Sequence, residues 1–141
     1  MRYFFQNDSF PYTPGTHFVY SNFCSYILSV LLEEKSGTGL LNYLRYRFFE
    51  PVGIPNPDWT LCPQGHCMAA NGLYLTIDEL ARFGHLLLHE GSLNGKQIVP
   101  KKFVIDACQK HIDSYNPLTE HPDYQSYGYG YFIYMDLWKI L

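Results

Sequence analysis

The sequence predicts an α+β chain in which a mostly helical region is joined to part of an antiparallel sheet. Three observations carry that expectation. Apolar residues recur at three- and four-residue spacing in stretches bounded by helix-start and helix-stop signals. Tyr127 to Trp138 alternates, with apolar residues on both faces, as a strand covered on both sides does. The 141 residues are 47% hydrophobic and only 16% charged, which excludes a disordered chain.

Residues 1–21 read as an aromatic, loop-like segment punctuated by Pro11, Pro14 and Gly15. Asn22 opens a first helix, in which Phe23, Ile27, Val30 and Leu31 are spaced for one face. Gly37 sits where a C′ glycine belongs. Thr38 is placed to cap a second helix containing Leu41, Leu44 and Phe48, which should end at Glu50-Pro51. Residues 51–75 are a loop region rich in Pro and Gly. Thr76-Ile77-Asp78-Glu79 is a capping box for a third helix, with Leu80, Phe83, Leu87 and Leu88 on or near its apolar face and Gly91 as its stop. Leu93-Asn94-Gly95-Lys96 reads as a tight turn between short extended pieces. Pro100 opens a fourth helix running to about His111, followed by a polar loop over 113–125. Other strand candidates are short: Met1–Phe5, Leu73–Leu75 and Gln97–Val99. The sheet looks unfinished, and an open apolar strand around Tyr129–Leu137 is a template for aggregation or dimerisation.

Charge and composition narrow the partners. Ten Lys and Arg against thirteen Asp and Glu leave a net charge of −3, the wrong balance for a nucleic-acid surface. No apolar segment is long enough to span a bilayer, and no export signal develops after Met1, so the cytoplasm is the default compartment. Cys24 and Cys108 fall in helical patterns and read as buried thiols; whether Cys62 pairs with Cys67 stays open. Aromatics make up 18% of the chain, which implies a core or lined cleft larger than a minimal domain needs.

One constellation carries chemistry: Pro14-Gly15-Thr16-His17-Phe18-Val19-Tyr20-Ser21-Asn22, leading directly into the first helix. A phenol and an amide two residues apart at a loop-to-helix junction can face one cleft. The phenol can act as a general base, and the amide offers one acceptor and two donors to a substrate.

Taken in order, several stretches resemble the serine β-lactamase and penicillin-binding-protein-like family, most closely its class C and esterase-like branch. They are Pro14 to Asn22, Leu32 to Gly37, Phe49 to Ile54, Ala69 to Phe83, Leu86 to Gly91, Leu93 to Val99 and Tyr127 to Tyr131. The resemblance covers roughly Phe10 to Trp138. It implies an incomplete β-lactamase/transpeptidase-like fold: a single partial domain over 1–141. It also implies acyl-serine hydrolysis of a β-lactam, D-alanyl peptide or ester, with a small molecule or peptide as substrate and no cofactor. Tyr20 would be the general base or proton shuttle, Asn22 would position the substrate, and Ser21 would be the variable middle residue.

The family's other two motifs are a Ser-x-x-Lys before Tyr-x-Asn and a Lys-Thr-Gly-like or His-x-Gly-like strand near the end. No serine here has a lysine three residues on, and Lys35-Ser36-Gly37 reads as a helix end rather than a strand. Both motifs are expected outside the chain, one before Met1 and one after Leu141. The chain alone is therefore expected to be inactive, because an acyl-serine enzyme needs its nucleophile and oxyanion donors. The alternatives are a non-catalytic binding or regulatory remnant, or a truncated product without independent function.

Two other groupings are set aside. Cys62-Pro63-Gln64-Gly65-His66-Cys67 offers two thiolates and an imidazole in six residues but no second pair to complete a zinc site. His85 and His89 are four apart on one helix and read, with Glu90, as a solvated polar face. No metal is assigned.

Overall fold

The computed structural model describes residues 12–114 and 128–135, which fall into two compact units. One is Ser21–Cys108; the other combines Met1–Tyr20 with Gln109–Leu141.

In the larger unit, α1 spans Asn22–Ser36. Ser21 is its N-cap, the hydroxyl accepting from the Phe23 N–H at 3.3 Å, and Gly37 ends it at φ 69° with its N–H on the Glu33 carbonyl. The buried stripe is not the apolar one expected. Ser29, Val30 and Glu33 face inward, whereas Leu28 and Leu31 are exposed. Cys24, expected to be buried, is also exposed. The helix turns a partly polar face inward because that face is fully hydrogen-bonded, as described below.

The second helix departs from expectation at both ends. It begins as α2 (Leu40–Leu44), with Gly39 rather than Thr38 as N-cap, because the Glu33 carboxylate accepts the Leu40 N–H at 2.8 Å. It then continues through a π-helical turn, Arg45–Phe49, into α3 (Glu50–Val52), past the expected stop at Pro51. In a regular helix the proline ring would meet the carbonyl four residues back; the wider turn lets the chain pass it.

β1 (Asp58–Trp59) pairs antiparallel with β2 (Leu73–Tyr74), Trp59 opposite Leu73. The Trp59 indole N–H donates to the Asn71 carbonyl at 2.9 Å, pinning the intervening loop. α4 (Ile77–Leu88) opens on the expected capping box: the Glu79 carboxylate accepts the Thr76 N–H at 2.8 Å. Its inward face is centred on Leu86, which is fully buried. Leu80 and Leu88, expected on the apolar face, are exposed. They lie about 120° and 160° around the helix from Leu86 at 100° per residue. β3 (Ser92–Leu93) and β4 (Lys96–Gln97) form a hairpin around Asn94-Gly95, both residues at positive φ as that turn requires. α5 (Lys101–Ala107) follows Pro100 and ends at Cys108, short of His111. The core of this unit is Phe49, Val52, Ile54 and Leu86, flanked by Trp59, Leu73, Leu93 and Val99.

In the smaller unit, β5 (Ile112–Asp113), β6 (Gly128–Tyr129) and β7 (Tyr134–Met135) form an antiparallel sheet in that order. The expected single strand from Tyr127 to Trp138 is corrected here: its described part folds back on itself. The Gly130 N–H donates to the Ile133 carbonyl at 2.9 Å, and Phe132 takes φ 60° to close the turn. β5 also recruits residues expected in helix or polar loop, His111 donating its N–H to the Tyr129 carbonyl at 2.9 Å. Phe18 packs on Tyr129 with ring centres 4.8 Å apart. Met1–Phe5, Tyr127 and residues 136–138 lie outside the described residues.

Candidate active site

Tyr20 belongs to the smaller unit, two residues before α1, and is 57% exposed. Asn22 is the first residue of α1, in the larger unit, and is exposed, with its carbonyl accepting from the Ser25 hydroxyl at 3.3 Å. Each is described in its own unit. Ser21 keeps β-region dihedrals (φ −145°, ψ 119°), and the helix begins at the next residue. The Ser21 hydroxyl is used as the helix cap. Lys35-Ser36-Gly37 ends α1, with the Ser36 hydroxyl donating to the Thr38 carbonyl at 3.1 Å.

The segment from Cys62 to Cys67 is docked on the inward face of α1 rather than loose. It closes as a tight hairpin: the Cys62 N–H donates to the His66 carbonyl and the Gly65 N–H to the Cys62 carbonyl, both at 2.8 Å. Three contacts hold it. Glu33 Oε2 lies 2.5 Å from His66 Nδ1, the Ser29 hydroxyl donates to the Cys67 carbonyl at 3.1 Å, and Tyr26 Oη lies 3.2 Å from Cys62 Sγ. Burial pushes the Glu33 carboxyl up, but the Leu40 N–H, His66 and the Cys67 N–H together outweigh it and hold the group below the usual carboxylate range. The Tyr26 bond, aided by the backbone at Gln64 and His66, holds the Cys62 thiol low; the same bond to Cys62, with burial, holds the Tyr26 phenol high. Burial pushes the Cys67 thiol up.

Sequence reasoning therefore missed the anchoring role of Tyr26, Ser29 and Glu33. The signal was present: these positions recur at three- and four-residue spacing, but Glu33 sits in Glu33-Glu34-Lys35 and reads as a solvated helix end. The four cysteines are all free, with Cys67 the buried one and Cys108 half-buried. Among the described residues no cluster of three or more His, Cys, Asp or Glu is arranged to hold a metal. None of the described helices is long and apolar enough to cross a membrane.

Comparison with known proteins adds the family. A family profile described as Beta-lactamase matches residues 1–138. Among solved structures, a putative 6-aminohexanoate-dimer hydrolase from Bacillus anthracis is similar, with a TM-score of 0.69 and 28% identity. The match covers 86% of this chain and 30% of that one, so the chain spans about a third of that neighbour's length. Among curated proteins none matches.

Proposed function

The chain belongs to the β-lactamase family, and from that premise we propose that it carries the Tyr-x-Asn portion of an acyl-serine hydrolase site. Tyr20 is the general base or proton shuttle, and Asn22 is the amide that orients the substrate. The observation behind these roles is the placement of Tyr20-Ser21-Asn22 at the entrance of α1, with the middle serine consumed as helix cap. A half-exposed phenol just before the helix can meet a cleft, whereas the capping hydroxyl is not a nucleophile. In such a site a serine oxygen attacks an acyl carbonyl, the leaving group departs with a proton, and water then releases the acyl group. The structural neighbour's description makes a linear amide the first substrate class to weigh beside β-lactams, D-alanyl peptides and esters.

Residues 1–141 hold no serine with a lysine three residues on, so these residues alone are proposed to be inactive. That same feature favours, as a second reading, a binding module that keeps Tyr20 and Asn22 without turnover. Intact-mass measurement after exposure to a fluorophosphonate or β-lactam probe tests the inactivity. No adduct is expected; a stoichiometric adduct on any serine would overturn it.

A further inference from the structure

We propose that Cys62 is a nucleophilic thiol served by His66, which Glu33 orients, and that its reaction partner is a hydroperoxide. The hairpin brings the first two together. Leu61 and Cys67 form an antiparallel bridge, and the Cys62 N–H donates to the His66 carbonyl at 2.8 Å, so Cys62 and His66 stand opposite each other. Opposite residues share a face, with Cβ atoms about 5 Å apart. Contacts with α1 identify that face. The Tyr26 hydroxyl lies 3.2 Å from Cys62 Sγ, and the Tyr26 ring meets the His66 ring edge-on, centroids 6.5 Å apart.

A contact fixes the role of each member. The Glu33 carboxyl is held below its usual range, so near neutrality it is ionised and only accepts. His66 Nδ1, 2.5 Å from Glu33 Oε2, therefore carries the proton. In the neutral ring this leaves the lone pair on Nε2, the atom that can take the thiol proton. A nucleophile, a base and a group that orients the base are the general arrangement for activating a cysteine. Tyr26 adds a hydroxyl that donates to the sulfur as it ionises, in keeping with a phenol held high and a thiol held low.

The step balances with peroxide as the oxidant. The thiol proton passes to His66 Nε2, the sulfur attacks one peroxide oxygen, and the S–O bond forms as the O–O bond breaks. Sulfur is oxidised by two electrons and the peroxide is reduced; the departing hydroxide takes the proton from His66 and leaves as water. The product is a sulfenic acid. Cys67 does not face it: that residue stands opposite Leu61, so its side chain lies on the other face of the hairpin, where it is buried. Cys62 is half-buried beside an exposed tip, Pro63-Gln64-Gly65, within reach of a small oxidant. The proposal does not rest on the acyl-serine reading, which uses none of these residues.

Alkylation of the full chain by iodoacetamide, followed by peptide mapping across the pH range, tests it, with exposed Cys24 as the internal standard. The ionisable groups acting on Cys62 are Tyr26 from α1 and His66 and Cys67 from the hairpin. A thiol held low is more ionised than an ordinary one near neutrality, but nucleophilicity falls with basicity, so a tenfold gain in thiolate becomes about threefold in rate. Cys62 is expected to lead Cys24 by at least about threefold at about pH 6.5 and to lose that lead above about pH 9, where both are thiolates. Hydrogen peroxide with dimedone should trap a sulfenic acid on Cys62. His66→Gln and Tyr26→Phe, each shown to be folded by far-UV circular dichroism, should shrink the lead. A rate ratio that stays constant with pH, as accessibility alone gives, would overturn the proposal whether or not the variants fold. So would the absence of a dimedone adduct on Cys62, or an unchanged lead in folded His66→Gln.

Discussion

Replacing Glu33 with Ala removes the acceptor that ties three segments of the larger unit together. The carboxylate takes the Leu40 N–H at 2.8 Å and His66 Nδ1 at 2.5 Å. Leu40 is 5% exposed, so its N–H group has little access to replacement water. Hydrogen bonds to a charged group contribute roughly 1.5–3 kcal/mol each, and an abandoned buried donor costs a similar amount. Because the two bonds share one group they do not simply add, and a total loss of about 3–4 kcal/mol is expected. Glu33→Gln keeps one oxygen and should cost about half as much.

Urea unfolding gives the free energy, and amide exchange at Leu40 assigns it to the anchor. The pH dependence has a definite sign. The folded carboxyl titrates below its ordinary value of about 4.3. The advantage of wild type over Glu33→Gln is therefore fully present above that ordinary value and is lost as pH falls through the folded one. A Glu33→Ala loss below about 0.5 kcal/mol, the range of ordinary surface changes, would refute the anchor. So would an advantage that grows on acidification.

What the sequence made legible was what local chemistry decides. The helix start at Asn22, the left-handed Gly37, the Thr76–Glu79 capping box and the Asn94-Gly95 turn all follow from a few adjacent residues, and each stands where expected. What it did not show depended on partners distant in the chain. Glu33 faces inward because His66, 33 residues later, and the start of α2 supply its donors. Pro51 fails to stop its helix because a π turn forms before it. The strand after Tyr127 folds back because a pattern apolar on both faces says nothing of where a turn at Gly130–Ile133 interrupts it. Tyr20 and Asn22 were legible as a motif through family context; the same two letters elsewhere would have meant a capped helix and no more.

Two further perturbations probe packing. Leu86→Ala, at a fully buried position among Phe49, Val52 and Ile54, should cost about 3–4 kcal/mol in urea unfolding. Leu88→Ala, at a 71% exposed position on the same helix, should stay within about 0.5 kcal/mol; equal losses would contradict the inward face assigned to α4. The stop after α4 separates two reasons for a glycine. Gly91 and Gly95 both have positive φ, 85° and 76°, so Ala at either pays about 1–2 kcal/mol for the left-handed backbone. They differ in what a Cβ would meet. At Gly95 nothing lies within 4 Å, whereas at Gly91 the Cβ would collide with the Val99 carbonyl oxygen and lie 3.0 Å from Val104 Cγ2. That carbonyl cannot simply retreat, because the Val99 and Ile98 N–H groups both bond the Gly91 carbonyl, at 3.1 and 2.9 Å. Gly91→Ala should therefore lose at least about 3 kcal/mol and Gly95→Ala about 1. If the two variants unfold at the same urea concentration, the close approach at Gly91 contributes nothing and only backbone handedness selects glycine there.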